Sequence, residues 1–203
     1  MNSEKDKIIK SSQGLFLKKG FAKTSMDDIA HTMQMSKKTI YKFFPSKDIL
    51  LEQSIMAFME LNNQQMQIII KSNDNAVIKA YKLFNFIGHI IIEVSNQFLL
   101  DLKNYNQDLW LVIDKLRVKY LKENLKKIIE QGKREEYFID ESSFIIINSF
   151  ISTIRGIVNP EIILVKNISV ERAFRVSVKI LMNGILTSKG KKVFKSLNIG
   201  ANK

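Results

Sequence analysis

Cysteine is absent from this chain and proline nearly so, with two prolines in 203 residues. The first absence removes disulfides, thiolate metal sites and cysteine nucleophiles together. The second, with only eight glycines, leaves few points at which a helix is forced to stop. Histidine is scarce too, at two residues, and no His, Asp and Glu spacing puts metal ligands on one helix face. A glycine-rich phosphate loop is also lacking. No catalytic residue, metal or cofactor is expected, and an enzyme is not the expected class. His89, in an apolar stretch, reads first as a core histidine.

Long apolar runs are missing as well. The longest, Phe86 to Val94 and Phe144 to Ile154, are interrupted by Gly, His, Asn, Ser or Thr well short of the roughly 18 residues a membrane span needs. No membrane partner is expected. The first ten residues, MNSEKDKIIK, mix both charges and have no apolar core before a small-residue cleavage site, which is not a secretory pattern. A cytoplasmic location is the expectation. Acids are in deficit, 20 against 32 Lys and Arg, for a net charge of +12. That balance favours a polyanionic partner, although a solvated basic surface gives the same total. The first 50 residues hold ten lysines and five acids, about twice the charge density of the remainder.

What is present is helical punctuation, densest between Thr24 and Leu50. Thr24 and Ser25 each have an acid three residues on, Asp27 and Asp28, so either can cap a helix that begins near Ser25 or Met26. Ile29, Ala30 and Met33 give that helix an apolar stripe, and it should end near Gln34. Ser36 caps a second helix that runs to Phe44, Pro45 stops it, and Ser46 caps a third with Asp48 in its first turn. Before them, residues 5 to 19 align Ile8, Ile9, Ser12, Leu15 and Phe16, and Gly20 closes that helix. Two short helices joined by a tight turn, the second studded with basic and hydroxyl side chains, read as a helix-turn-helix.

On a wheel of 100° per residue, Ile40, Phe43 and Phe44 fall on the buried side of the second helix. Lys38 and Lys42 lie opposite, with Tyr41 beside them and Lys37 and Thr39 on the flanks. A helix in the major groove turns its outer face to base edges and its flanks to phosphates. Lys38 and Lys42 are thus expected to read bases. Lys37, Thr39, Tyr41 and Lys47 are expected to hold the DNA backbone.

Leu15, Phe16, Gly20, Phe21, Thr24, Asp28, Ile29, Ala30, Ser36, Thr39, Ile40, Tyr41, Phe43, Phe44, Ser46, Lys47, Asp48 and Leu50 together resemble the DNA-binding segment of the TetR family of bacterial transcriptional regulators. The resemblance covers the first fifty residues. It implies backbone roles for Thr39, Tyr41 and Lys47, and Thr24, Ser25 and Ser36 are expected DNA contacts beside the recognition-helix residues. Two positions depart from it: Gln34 in the turn and Lys38 early in the recognition helix stand where the family usually has glycine. A left-handed Gln34 costs on the order of 1 kcal/mol.

The remainder reads as all-α, about nine helices in total. The division expected is a helix-turn-helix domain over 1–48 and a ligand-binding and dimerisation domain over 49–203. A helix from Lys47 to about Lys71 spans roughly 35 Å and can act as a lever, and Asn73, Asp74 and Asn75 mark a break. Isoleucine triplets at 68–70, 90–92 and 145–147 sit in segments of about twenty unbroken residues, too long for strands. Further helices are expected at Phe98 to Asn104, Gln107 to Gln131 closing at Gly132, and Ser142 to Asn159 stopped by Pro160. A last helix is capped by Ser169, and the tail from Ser188 is expected to be unstructured or adjacent to DNA.

The broad apolar faces of the two late helices suggest an isologous homodimer through Phe150, Ile151, Ile154, Ala173, Phe174, Ser177, Leu181 and Ile185. TetR-like proteins usually dimerise through their last two helices, so the resemblance points the same way. It also implies a small-molecule effector held among the middle helices, for which Tyr81, Phe84, His89, Tyr105, Trp110 and Arg117 could supply aromatic walls and a polar anchor. Core filling accounts for any one of them equally well. The expected function is a regulator, a repressor that binds a palindromic double-stranded DNA operator as a dimer and is released by an effector. The alternatives are a sequence-tolerant nucleic-acid binder and a regulator of the same fold that needs no small molecule.

Overall fold

The computed structural model describes residues 3–157 and 169–198. Ten helices account for nearly all of them: α1 Glu4–Lys19, α2 Met26–Met33, α3 Lys37–Phe43, α4 Lys47–Lys71, α5 Ala76–Glu93, α6 Asn96–Tyr105, α7 Gln107–Arg134, α8 Ser143–Ile157, α9 Val170–Ile185 and α10 Ser188–Asn198. The chain is all-α. Its extended pairing among the described residues is a single antiparallel bridge between Phe138 and Leu186. No single described helix is long and apolar enough to cross a membrane.

Two compact units divide the chain. One comprises residues 1–62 and 93–116, the other residues 63–92 and 117–203. In the first, Ile8, Phe16, Ile29, Ile40, Phe44 and Leu50 are fully buried, the stripes expected of α1, α2 and α3, with α1 packed on both α2 and α6. In the second, Leu83, Leu125, Ile128, Phe138, Phe150, Phe174 and Met182 belong to one apolar cluster.

Caps set most of the boundaries. Ser25, Ser36, Ser95 and Ser169 each accept a backbone N–H from three residues on; Ser46 does the same for Ile49 and Asn75 for Ile78. The isoleucine triplets lie inside α4, α5 and α8. A triplet spans about 200° of a helix, so its members divide between faces: Ile146 and Ile147 are buried and Ile145 is exposed.

Four expectations are corrected. Gly132 does not close α7, which runs on to Arg134. It lies where a Cβ would stand 2.1 Å from the Phe138 ring, so this glycine makes room for an aromatic, and the left-handed residue after the helix is Glu136, at φ 60°.

The segment from Ser188 is helical. Val193, Phe194 and Leu197 pack on the second unit's core, Lys191, Lys192 and Lys195 stay exposed, and Thr187 caps it by accepting the Gly190 N–H at 3.1 Å.

Third, Phe150, Ile151, Ile154, Phe174 and Ile185 are buried within the chain itself, while Ala173, Ser177 and Leu181 are half-buried. The apolar side chains that α8 and α9 leave outward are Phe144, Ile145, Val176 and Ile180. Both helices carry two apolar stripes, and periodicity does not say which one faces the chain's own core. The expected stop of α8 at Pro160 lies outside the described residues.

Fourth, the expectation of a core histidine fails at His89, and the residues proposed for a pocket differ in setting: Phe84 stacks on Phe150 with ring centroids 5.1 Å apart. Of the other residues proposed for a pocket, Tyr81 packs against the second unit's core and Arg117 is half-buried in that unit. His89, in the same unit, is exposed and not the core histidine its neighbours suggested. Trp110 and Tyr105 belong to the first unit, half-buried and exposed respectively.

Candidate nucleic-acid interface

The helix-turn-helix is built by reciprocal capping. At the start of α2, the Asp28 N–H donates to Ser25 Oγ at 3.1 Å, while Ser25 donates to Asp28 Oδ2 through its backbone N–H at 2.8 Å and its hydroxyl at 2.6 Å. These bonds to the ionised form hold the Asp28 carboxyl below the usual carboxylate range. Thr24 is buried and faces inward, its hydroxyl donating to the Gly20 carbonyl at 2.7 Å. It shapes the loop and presents nothing to a groove.

Gln34 takes the left-handed conformation expected of it, φ 52° and ψ 40°. Its N–H bonds to the His31 carbonyl at 3.1 Å and the Met35 N–H to the Ala30 carbonyl at 2.9 Å, which closes the turn without glycine. Ser36 then starts α3: its Oγ accepts the Thr39 N–H at 3.1 Å and lies 2.9 Å from the Thr39 hydroxyl. Thr39 is half-buried.

The outer face of α3 carries Lys38, Tyr41 and Lys42, all exposed. Ile40 and Phe44 are buried as the wheel requires, but Phe43 is 36% exposed. Three apolar residues in five look like one stripe, so the spacing places the Phe43 ring in the core. It is the surface residue of this helix that the pattern concealed.

Both lysines proposed as phosphate ligands have intramolecular partners. Lys37 pairs with Asp27 across the motif at 2.7 Å, and that carboxylate raises the ammonium above the usual lysine range. Lys47 donates to the carbonyls of Phe21 and Thr24, each at 3.0 Å, with its ammonium 3.9 Å from the Phe21 ring centroid. Two of its three donors are thus occupied within the fold.

The family model described as bacterial regulatory proteins, tetR family, matches residues 8–53, the span from α1 to the first turns of α4. Over 183 residues the chain is 26% identical to the HTH-type transcriptional regulator YvaF of Bacillus subtilis, covering 88% of this chain and 94% of that protein. Over 96 residues it is 33% identical to the HTH-type negative transcriptional regulator IcaR of the biofilm operon icaADBC of Staphylococcus aureus, which is 47% of this chain and 50% of IcaR. In fold it is similar to a TetR family transcriptional regulator from Agrobacterium tumefaciens. The TM-score is 0.70 at 14% identity, over 90% of this chain and 97% of that one.

Proposed function

Because this chain belongs to the TetR family of helix-turn-helix transcriptional regulators, we propose that it is a repressor that binds a palindromic operator as a homodimer and lets go when a small molecule binds. It is a regulator and not an enzyme. In this reading residues 1–48 read the DNA and residues 49–203 carry the dimer contacts and the effector.

The observation that carries the reading is the face of α3. Lys38, Tyr41 and Lys42 are exposed together on a helix whose opposite side is locked by buried Ile40 and Phe44, so the outer face is rigidly presented and free to enter a groove. Lys38 and Lys42 are assigned to base edges. Ser25, Ser36, Thr39, Tyr41, Lys37 and the remaining donor of Lys47 are placed along the phosphates. A seven-residue helix contacts few base pairs, and two-fold symmetry doubles the number read.

For the dimer, the outward residues Phe144, Ile145, Val176 and Ile180 of α8 and α9 supply an apolar surface. The negative sign of regulation is supported by IcaR, named a negative regulator. Release by an effector rests on the family likeness, and an effector must favour the DNA-incompatible form by several kcal/mol to switch the population nearly completely.

Selection of duplexes from a random pool tests the reading. The expected result is enrichment of one inverted repeat, with affinity that falls steeply as salt rises. Equal recovery of unrelated sequences would establish sequence-tolerant binding in its place. Operator release in a small-molecule screen tests the effector.

A further inference from the structure

Asp101 is 1% exposed, lies in α6, and has no part in the DNA contacts proposed above. A buried carboxylate is destabilising unless its oxygens are hydrogen-bonded, and here both are. Oδ1 accepts from the Gln97 side-chain amide at 2.7 Å. Oδ2 accepts the backbone N–H of Ala22, 79 positions earlier in the chain, at 2.7 Å. A second α6 contact lies nearby: the N–H of its N-cap, Ser95, donates to the Leu17 carbonyl at 2.9 Å.

The segment so held is the loop from α1 into α2. Its first residue, Gly20, has φ 90° and ψ 160°, a region that residues with a Cβ enter only under strain. A Cβ there would stand 2.6 Å from Asp101 Oδ2 and 2.8 Å from Gln97 Cγ. The bare Cα of Gly20 is what admits the carboxylate to the backbone. Lys47 fixes the same loop from α4 through the carbonyls of Phe21 and Thr24. The loop ends at Ser25, the N-cap of α2, and α2 packs on α3.

We infer that Asp101 is a positioning residue of the DNA reader: its bond to the Ala22 N–H, made possible by Gly20, ties α6 to the loop that aims α2 and, through α2, the recognition helix. The inference rests on the proposed operator binding. Loss of the bond loosens the aim of α3 and leaves its lysines unchanged, so recognition of a particular sequence suffers while general attraction to DNA does not.

The test uses the full chain, the duplex it enriches from a random pool, a scrambled duplex of equal composition, and hydrogen exchange at the Ala22 amide. Asp101→Ala is expected to weaken binding to the enriched duplex about tenfold or more, to leave affinity for the scrambled duplex and its salt slope unchanged, and to deprotect Ala22. Asp101→Asn is expected to keep both the affinity for the enriched duplex and the protection of Ala22 near wild type, because its Oδ1 can still accept from Ala22 while Gln97 turns its carbonyl toward the new amide. Gly20→Ala displaces the carboxylate and is expected to reproduce the Asp101→Ala pattern. It carries the same comparison if Asp101→Ala does not fold.

Wild-type affinity for the enriched duplex in a variant whose Ala22 amide is deprotected overturns the inference. So does an equal loss on both duplexes, which marks a general loss of fold. A wild-type chain that enriches no duplex overturns the operator reading itself, and this inference with it.

Discussion

Lys37 and Lys38 are neighbours in sequence with different surroundings. Lys37 is paired with Asp27, whereas Lys38 stands exposed on the outer face. Lys38→Ala is therefore expected to relax the preference at one base position by about 1–3 kcal/mol. Lys37→Ala is expected to weaken all sequences alike and to lower the salt slope by about one. Binding to a panel of single-base operator variants separates the two, and a uniform loss for Lys38→Ala would remove it from base reading.

At Asp28 the prediction concerns pH. Its folded value is depressed by bonds to Ser25, so the group contributes stability above its unfolded value, and that contribution is lost as pH falls through the folded one. The window is thus acidic, at and below the usual carboxylate range. Ser25→Ala should move the Asp28 midpoint up toward that range in an NMR titration and cost about 1 kcal/mol of stability at neutral pH. An unmoved midpoint would mean that Ser25 is not its cause.

Among the helices, α2, α3 and α4 were legible because each begins at a hydroxyl whose cap is a local, three-residue geometry, at Ser25, Ser36 and Ser46. Gln34 was legible for the same reason, since the turn fixes its backbone whatever the side chain. Where legibility failed, the deciding partner was distant in sequence. Gly132 looks like a helix stop until Phe138 is seen to occupy its space. The lysines of α10 look like a solvated tail until Phe194 is seen to enter the cluster of α5, α7 and α8. The outward turn of Phe43 and the inward turn of Phe150 are choices between two apolar stripes that periodicity leaves equal. Phe194→Ala is expected to destabilise the second unit by about 3–5 kcal/mol, read as a shift of the denaturant midpoint. Gly190→Ala should act in the same direction, because its Cβ would meet the Tyr137 carbonyl at 2.3 Å. If both variants unfold like wild type, α10 is an appendage and not part of the core.

For the molecule as a whole, the proposed dimer decides how far one short reader can be specific. Ile145 is 62% exposed and Ile180 65%, on α8 and α9, which pack on each other within the second unit. An isologous interface uses each such residue twice, so one charged substitution places two like charges in the same buried surface. Ile180→Glu should cost about 3–5 kcal/mol of association, a rise of roughly two to nearly four orders of magnitude in the dimer dissociation constant. The side chain projects from the chain's own surface, so thermal stability should change little. Sedimentation at micromolar concentration should then show a monomer. That monomer should bind a half-site as wild type does and lose its preference for the intact inverted repeat. Phe174→Ala is the opposite control, expected to lower stability through the core without a specific effect on association. If Ile180→Glu remains a dimer with wild-type affinity, the surface of α8 and α9 is not the interface. If it becomes monomeric yet still prefers the inverted repeat, each reader acts alone and symmetry is not the source of specificity.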